Sequence, residues 1–364
     1  MGGKHSTKNK NAEIGKASEF YWACRHGNYE KVRRLIRNMN YEQMCQIEPN
    51  GSTALHAATY YGHHKIVELL LEQGCSRTTL NRHGNTPYEE AQTEGMRSIF
   101  HRPTSQRFID EEPSQSFKLK GAHEANLMHA IARAPLLMRK FLQTRLEADC
   151  KESFENFLHE TLDEDDPFRI RVISLFNEYK QQRAIEPLFT LYTLETPIYG
   201  ALQDDCETLT ALLYMHLPAL RDRAYKGIAY RGARMTHDDI QAYRWTFSQQ
   251  GRVLETRTLQ SMSKKKEKAL EFAGKSHSSK SFSVLFIYDF PEVCRTAIDL
   301  TKISDTKSAL SEFQDEEEVT LLPFTLFKVW DMKTDSNNNK HYRITLRNIP
   351  VQKKSIAAAM LNMN

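Results

Sequence analysis

Apolar residues along this chain recur first with a helical period and later with a strand-like one. The run Tyr61-Gly62-His63-His64-Lys65-Ile66-Val67-Glu68-Leu69-Leu70-Leu71 reads as an amphipathic helix closed by Gln73-Gly74. From Pro103 to Lys120 the chain is polar and breaks the period, which predicts a linker. Residues 122–180 then read mostly helical. Leu127, Ala130, Ile131, Leu136, Leu137, Phe141 and Leu142 recur at helical spacing, and Pro167 separates a second helix around 170–179. A further helical stretch covers 209–217. After Pro218 the character changes. Ala229-Tyr230-Arg231-Gly232 reads as a short strand ending at its glycine, and 282–289, 318–322, 326–332 and 342–349 carry alternation or β-branched runs. Asp335-Ser336-Asn337-Asn338-Asn339 is a natural hairpin loop between the last two. The expectation is a β-rich back half with helices mostly at its front.

A repeat is visible in the front half. Gly51-Ser52-Thr53-Ala54-Leu55-His56-Ala57-Ala58 returns thirty-three residues later as Gly84-Asn85-Thr86-Pro87-Tyr88-Glu89-Glu90-Ala91. Upstream, Trp22-Ala23-Cys24-Arg25-His26-Gly27-Asn28 and Val32-Arg33-Arg34-Leu35-Ile36 echo the same two helices. In period and in its turn-plus-helix signature this resembles the ankyrin repeat, with about two and a half copies over 17–101. Ankyrin repeats bind protein partners and do not catalyse. His56 reads as a hydrogen-bonded structural histidine at the repeat turn. His63-His64 reads as surface, since no matching Cys/His cluster sits nearby.

Composition narrows the function classes. The 364 residues suffice for two or three domains, and 40% hydrophobic with 10% aromatic content places the chain among globular proteins. A net charge of +4, from 50 basic and 46 acidic residues, is too balanced for an obligate nucleic-acid binder. The longest apolar runs, such as Ser283-Val284-Leu285-Phe286-Ile287, have strand length and cannot cross a bilayer. No apolar signal stretch opens the chain, and the six cysteines are scattered without metal-ligand spacing. Reduced thiols in a cytoplasmic protein are the expectation. Met1-Gly2-Gly3-Lys4-His5-Ser6 fits the pattern for N-myristoylation on Gly2, and Lys4, Lys8 and Lys10 would supply the basic second signal for peripheral membrane contact. The alternative is an ordinary solvated tail.

Three short motifs carry the candidate chemistry. Tyr230-Arg231-Gly232 offers a rigid guanidinium fork for a diphosphate beside a glycine that admits close approach, although strand-end arginines more often make salt bridges. Leu259-Gln260-Ser261-Met262-Ser263 would set two hydroxyls on one strand face. Ser263 is equally suited to cap the helix expected around 269–273, and Lys264-Lys265-Lys266 reads as its solvated first turn. The third motif is Ser311-Glu312-Phe313-Gln314-Asp315-Glu316-Glu317-Glu318-Val319-Thr320-Leu321-Leu322-Pro323. A strand beginning near Glu316 would place Glu316 and Glu318 on one face, about 7 Å apart. Two such carboxylates suit a reaction that builds positive charge on a sugar and must also manage a nucleophile. An acidic turn before a strand is the plain alternative.

Taken in order, Tyr-Arg-Gly, Ser-x-Ser and Ser-x-Phe-x-x-Glu-x-Glu-Val, closing with Leu-Leu-Pro-Phe-Thr-Leu-Phe-Lys-Val, resemble the R-S-E class of mono-ADP-ribosyltransferases. Tyr192-Thr193-Leu194-Glu195-Thr196-Pro197-Ile198-Tyr199 looks like the segment that opens that family's catalytic domain. The resemblance implies an α+β transferase domain with two packed β-sheets and N-terminal helices, using NAD as co-substrate and no metal. It implies Glu318 as catalytic glutamate, Arg231 with Tyr230 and Gly232 at the NAD phosphates, Ser261 orienting the nicotinamide ribose, and Glu316 positioning the acceptor arginine. In this family Glu-x-Glu goes with arginine acceptors. Leu259 and Met262 stand where the family often has phenylalanine and threonine, and the acidic run also admits Asp315/Glu317 as the pair. Glu316/Glu318 is preferred because Val319 onward matches the family's strand.

The expected organisation is a multidomain chain: a basic tail over 1–16, all-α ankyrin repeats over 17–101, linker and helical connector over 102–165, the transferase domain over 166–350 and a tail over 351–364. The expected partners are a protein presenting an arginine and a protein bound by the repeats, with no nucleic acid. NAD hydrolysis, or an ankyrin adaptor with an inactive transferase-like domain, are the rival readings.

Overall fold

Short capped helices build the front of the molecule. The computed structural model describes residues 16–103, 117–121, 147–248, 252–274, 282–304, 307–335 and 338–350. Helix α1 (Glu19–Arg25) starts where the Ser18 hydroxyl accepts the Tyr21 N–H, and α2 (Tyr29–Ile36) where the Asn28 side chain accepts from Lys31. Helix α3 (Tyr41–Cys45) has a reciprocal capping box between Asn40 and Gln43. Thr53 caps α4 (Ala54–Tyr60), α5 (His64–Glu72) follows, and Thr93 caps α6 (Glu94–Ser98). Gly51 and Gly84 sit at equivalent turns with left-handed φ of 76° and 75°, a conformation that a side chain would strain. The apolar faces meet in one core that includes Phe20, Cys24, Val32, Leu55, Ala58, Val67 and Leu70. His56 bridges neighbouring repeats: its Nδ1 lies 2.7 Å from the Thr53 hydroxyl and its Nε2 3.0 Å from the Asn85 carbonyl. Its expected structural role is what the geometry gives it.

Downstream, a helix over 147–161 (α7) precedes α8 (Arg169–Gln182), α9 (Glu186–Thr193), α10 (Ile198–Asp204) and α11 (Glu207–His216). Among the described residues, eight strands form a single hydrogen-bonded sheet: β1 (Phe117–Gly121), β2 (Ala224–Met235), β3 (Arg252–Thr256), β4 (Gln260–Ser263), β5 (Phe282–Asp299), β6 (Glu318–Leu321), β7 (Leu326–Asp335) and β8 (Asn338–Asn348). Helix α12 (His237–Ser248) follows β2, and α13 (Lys266–Gly274) follows β4. The sheet order is β1-β3-β7-β8-β5-β2-β4-β6, and the far end of β5 also pairs with β6 through Ala297↔Leu321 and Asp299↔Val319. The 18-residue β5 is long enough to serve two sets of neighbours. It therefore joins, through hydrogen bonds, the two packed sheets that the resemblance implies. Val284, Phe286, Tyr288 and Phe290 alternate along it onto one buried face, against Ala229, Met262, Val319 and Phe327.

Several boundaries move. The strand read at Ala229–Gly232 runs from Ala224 to Met235, because Gly232 sits in regular pairing with Leu285. The segment expected to be all linker ends in strand β1, where buried Phe117 packs 6.4 Å from the ring of Tyr243. The hairpin closes more tightly than expected, with Asp335 opposite Asn338. The helical reading of 122–146, the N-terminal basic run with Gly2, and the tail over 351–364 lie outside the described residues.

Cα packing divides the chain into two compact units. Among the described residues, one gathers those up to Arg102 with Asp163–Leu175 and Lys302–Gln314, and the other those of Pro103–Leu162, Phe176–Thr301 and Asp315–Asn364. Both units are discontinuous along the chain.

Candidate active site

The three motifs, far apart in sequence, arrive on three neighbouring strands. Tyr230-Arg231-Gly232 lies in β2, Ser261 and Ser263 in β4, and Glu318 opens β6. In register, Tyr230 faces Ser263, and Ser263 faces Glu318. Since directly paired residues and those two apart share a face, Ser261, Ser263, Glu318 and Thr320 line one side of the sheet. The expectation that Ser-x-Ser sets both hydroxyls on one face therefore holds.

Burial is deep here. Arg231 is 3% exposed, Ser261 0%, Glu316 1% and Glu318 0%. Glutamate and arginine are almost never buried to this degree without partners. Arg231 donates from Nη1 to the Ser261 carbonyl at 2.8 Å, which ties the guanidinium of β2 to the backbone of β4. The Ser261 hydroxyl lies 3.2 Å from the phenol of Tyr192, itself buried at the end of α9. Tyr288 donates to the neighbouring Gln260 side chain at 2.9 Å.

The acidic run is fixed by its backbone, carbonyl by carbonyl. Lys265 Nζ donates to the Asp315 carbonyl at 3.1 Å, and the Ser263 hydroxyl to that of Glu316 at 2.5 Å. The Lys264 N–H donates to the Glu317 carbonyl at 3.1 Å, and the Leu300 N–H to that of Glu318 at 3.0 Å. Four consecutive carbonyls are accounted for, so the run has one backbone path.

That path corrects the expected strand start. Gln314–Glu316 is a 3-10 turn, Glu317 is left-handed at φ 44°, and the strand begins only at Glu318. A left-handed residue between them interrupts strand alternation, so the relation of Glu316 to Glu318 is set by a turn and not by a two-residue strand repeat. The same turn separates the two candidate pairs. Asp315 forms an ion pair with Lys268 at 2.7 Å, and Glu317 one with Lys265 at 3.2 Å. Burial is the largest single effect on Lys268 and works against its charge, but the bond and charge of Asp315 together with Glu271 and Glu316 leave its pKa raised. Glu316, 1% exposed, and Glu318, 0%, are buried more deeply than Asp315, at 6%.

The lysine run is likewise more than a solvated first turn. Helix α13 begins at Lys266, and Lys264 reaches Asp299 at 2.8 Å and the Thr301 hydroxyl at 3.0 Å. Ser263 accepts the Lys265 N–H at 2.9 Å just before the helix. Sequence reading missed Tyr192 as a neighbour of Ser261, and missed the lysines as partners of the acidic run. Tyr192 opens the family-like segment, which was its only signal; the lysine pairings carry none. Among the described residues no group of three His, Cys, Asp or Glu is placed to hold a metal ion, and no helix is long and apolar enough to cross a membrane. All six cysteines are free thiols.

Residues 20–101 match the ankyrin-repeat family in three copies. The third copy extends the two and a half counted from sequence. No curated protein matches the chain. Among solved structures, the Vis toxin, an ADP-ribosyltransferase from Vibrio splendidus, is 17% identical, over 57% of this chain and 84% of its own, with a TM-score of 0.29. The ADP-ribosyltransferase HopU1 of Pseudomonas syringae pv. Tomato DC3000 is 15% identical, over 54% and 87%, at 0.32. C3stau2 from S. aureus, solved with NAD, is 13% identical, over 48% and 91%, at 0.29.

Proposed function

We propose that the protein is an NAD-dependent mono-ADP-ribosyltransferase acting on arginine, with NAD as co-substrate. The observation that supports this most is the register of β2, β4 and β6. It sets the strands that carry Arg231, Ser261 and Glu318 side by side, with Ser261 and Glu318 on one face, in the order and motif context of the R-S-E class. In this reading Arg231, beside Tyr230 and Gly232, binds the NAD diphosphate, for which a guanidinium fork is the natural partner. Ser261 orients the nicotinamide ribose. Glu318 hydrogen-bonds the ribose 2′-hydroxyl and stabilises the oxocarbenium-like charge that grows as the bond from C1′ to the nicotinamide nitrogen breaks. A guanidinium nitrogen then forms the new bond to C1′. Arginine attacks only after losing a proton, and Glu316 is the carboxylate assigned to take it.

The repeats would select the protein substrate or its location, through a bound protein partner. A cytoplasmic site, with Gly2 myristoylation and the basic tail giving peripheral membrane contact, belongs to the same proposal.

The test is incubation with labelled NAD and agmatine, alongside Glu316→Gln and Glu318→Gln. Label on agmatine, lost in both variants, is the expected result, with turnover of Glu318→Gln down by about 10²–10³. Nicotinamide release without agmatine labelling would make the protein a hydrolase. No NAD turnover at all would leave an adaptor with an inactive domain.

A further inference from the structure

Ser261 is held from three directions, and the third comes from outside the sheet. On the β6 side it pairs in register with Thr320. On the β2 side the paired position is Tyr230↔Ser263, two residues along, and the Ser261 carbonyl accepts from the Arg231 guanidinium, Nη1 at 2.8 Å. Its hydroxyl, on the face it shares with Glu318, lies 3.2 Å from the phenol oxygen of Tyr192. The strand and Arg231 thus fix the backbone of Ser261, and Tyr192 fixes the direction of its side chain. A serine χ1 has three staggered wells, and one hydrogen bond is enough to select among them.

Tyr192 can hold another group because it has little freedom of its own. Every residue of α9 from Pro187 to Thr193 is buried, so the helix is enclosed around its whole circumference. The Thr193 hydroxyl donates back to the Thr190 carbonyl at 2.8 Å, and the chain turns extended at Leu194, with ψ 146°. The Tyr192 ring also meets that of Tyr199, 5.7 Å between centroids. Phenylalanine would fill the same space; the oxygen is what tyrosine adds. A buried phenol oxygen needs a polar partner, and one lies at the Ser261 hydroxyl.

We propose that Tyr192 is a positioning residue: it holds the Ser261 hydroxyl in the orientation that meets the nicotinamide ribose. This rests on the transferase reading above. Tyr192 acts through Ser261 and is assigned no contact with NAD. The diphosphate contacts, assigned to Arg231, stay in place without the phenol. Its loss therefore spares NAD binding and slows cleavage of the bond at C1′. Removing either oxygen of the pair undoes the same arrangement, so the two losses are not independent.

The experiment uses the full chain. Nicotinamide release is measured over a range of NAD concentrations for wild type, Tyr192→Phe, Ser261→Ala, the double variant and Tyr225→Phe. Tyr192→Phe keeps the ring and so keeps the fold, checked by thermal unfolding. Tyr225 donates to the Ile228 carbonyl at 2.7 Å within β2, so its variant reports the loss of a phenol bond that only supports the fold. We expect Tyr192→Phe to lower kcat by about three- to tenfold, the scale of one hydrogen bond. KM for NAD should stay within about twofold of wild type. In the Ser261→Ala background the same substitution should lower kcat by less than about twofold further. Tyr225→Phe should lower the unfolding midpoint and leave kcat unchanged. An unchanged kcat in Tyr192→Phe overturns the proposal, as does a rise in KM alone. Losses that multiply in full in the double variant also overturn it, since they would assign the effect to the packing of α9. An equal loss of kcat in Tyr225→Phe does the same. Wild-type protein without NAD turnover would refute the transferase reading and this role with it, whereas wild-type turnover with a normal Tyr192→Phe refutes the positioning role alone.

Discussion

Glu317 is the pivot of the acidic run. Its left-handed backbone lets Glu316 end a turn and Glu318 begin a strand, and both neighbours are buried while Glu317 itself pairs with Lys265 in a half-exposed position. An ion pair with that exposure contributes at most about 1 kcal/mol. Glu317→Gln should therefore melt within a few degrees of wild type and retain NAD turnover, read by thermal unfolding and nicotinamide release. If Glu317→Gln lost activity as Glu318→Gln is expected to, the assignment of the buried pair would be wrong. The preference for Glu316 and Glu318 came from the motif.

At the scale of the element, the repeats depend on their caps. Thr53 accepts the His56 N–H at 3.4 Å and bonds the same residue's imidazole at 2.7 Å, so Thr53→Ala removes a helix cap and a buried partner together. A loss of about 1–2 kcal/mol is expected, visible as a lower unfolding midpoint. His56 also makes the repeats sensitive to acid. Burial, partly opposed by its bond to the Asn85 carbonyl, lowers its pKa below the ordinary value of 6.5, so the fold favours the neutral ring. The stability this confers is complete above 6.5 and drains away as pH falls below that value toward the lower folded pKa. Thermal unfolding between about pH 7.5 and about pH 5.5 should show the decline. His56→Asn, which cannot titrate, should start less stable and show a flatter profile. A wild-type slope that persists in the variant would assign the effect elsewhere.

For the molecule as a whole, the division into units matters more than the order of domains along the chain. The stretch 302–314 would be assigned to the transferase domain by sequence position, yet it packs with the ankyrin unit. The unit that holds the repeats is therefore discontinuous along the chain.

Much of this was legible in the residues. Ankyrin periodicity depends on local rules, the capping threonine and the turn glycine, which repeat at fixed spacing and read directly. Strands such as β5, β7 and β8 declared themselves by alternation. The candidate site was legible only as a list, Arg231, Ser261, Glu316 and Glu318, because motif order is a property of the chain. Its assembly was not, since strand pairing between β2, β4 and β6 depends on hydrogen bonds between distant segments. Nor could sequence show that Glu317 breaks alternation, that Tyr192 reaches Ser261, or that Glu312 is buried beside Arg171. Those are decided by tertiary packing, because the burial of a charge and the partner that offsets it come from parts of the chain no local pattern connects.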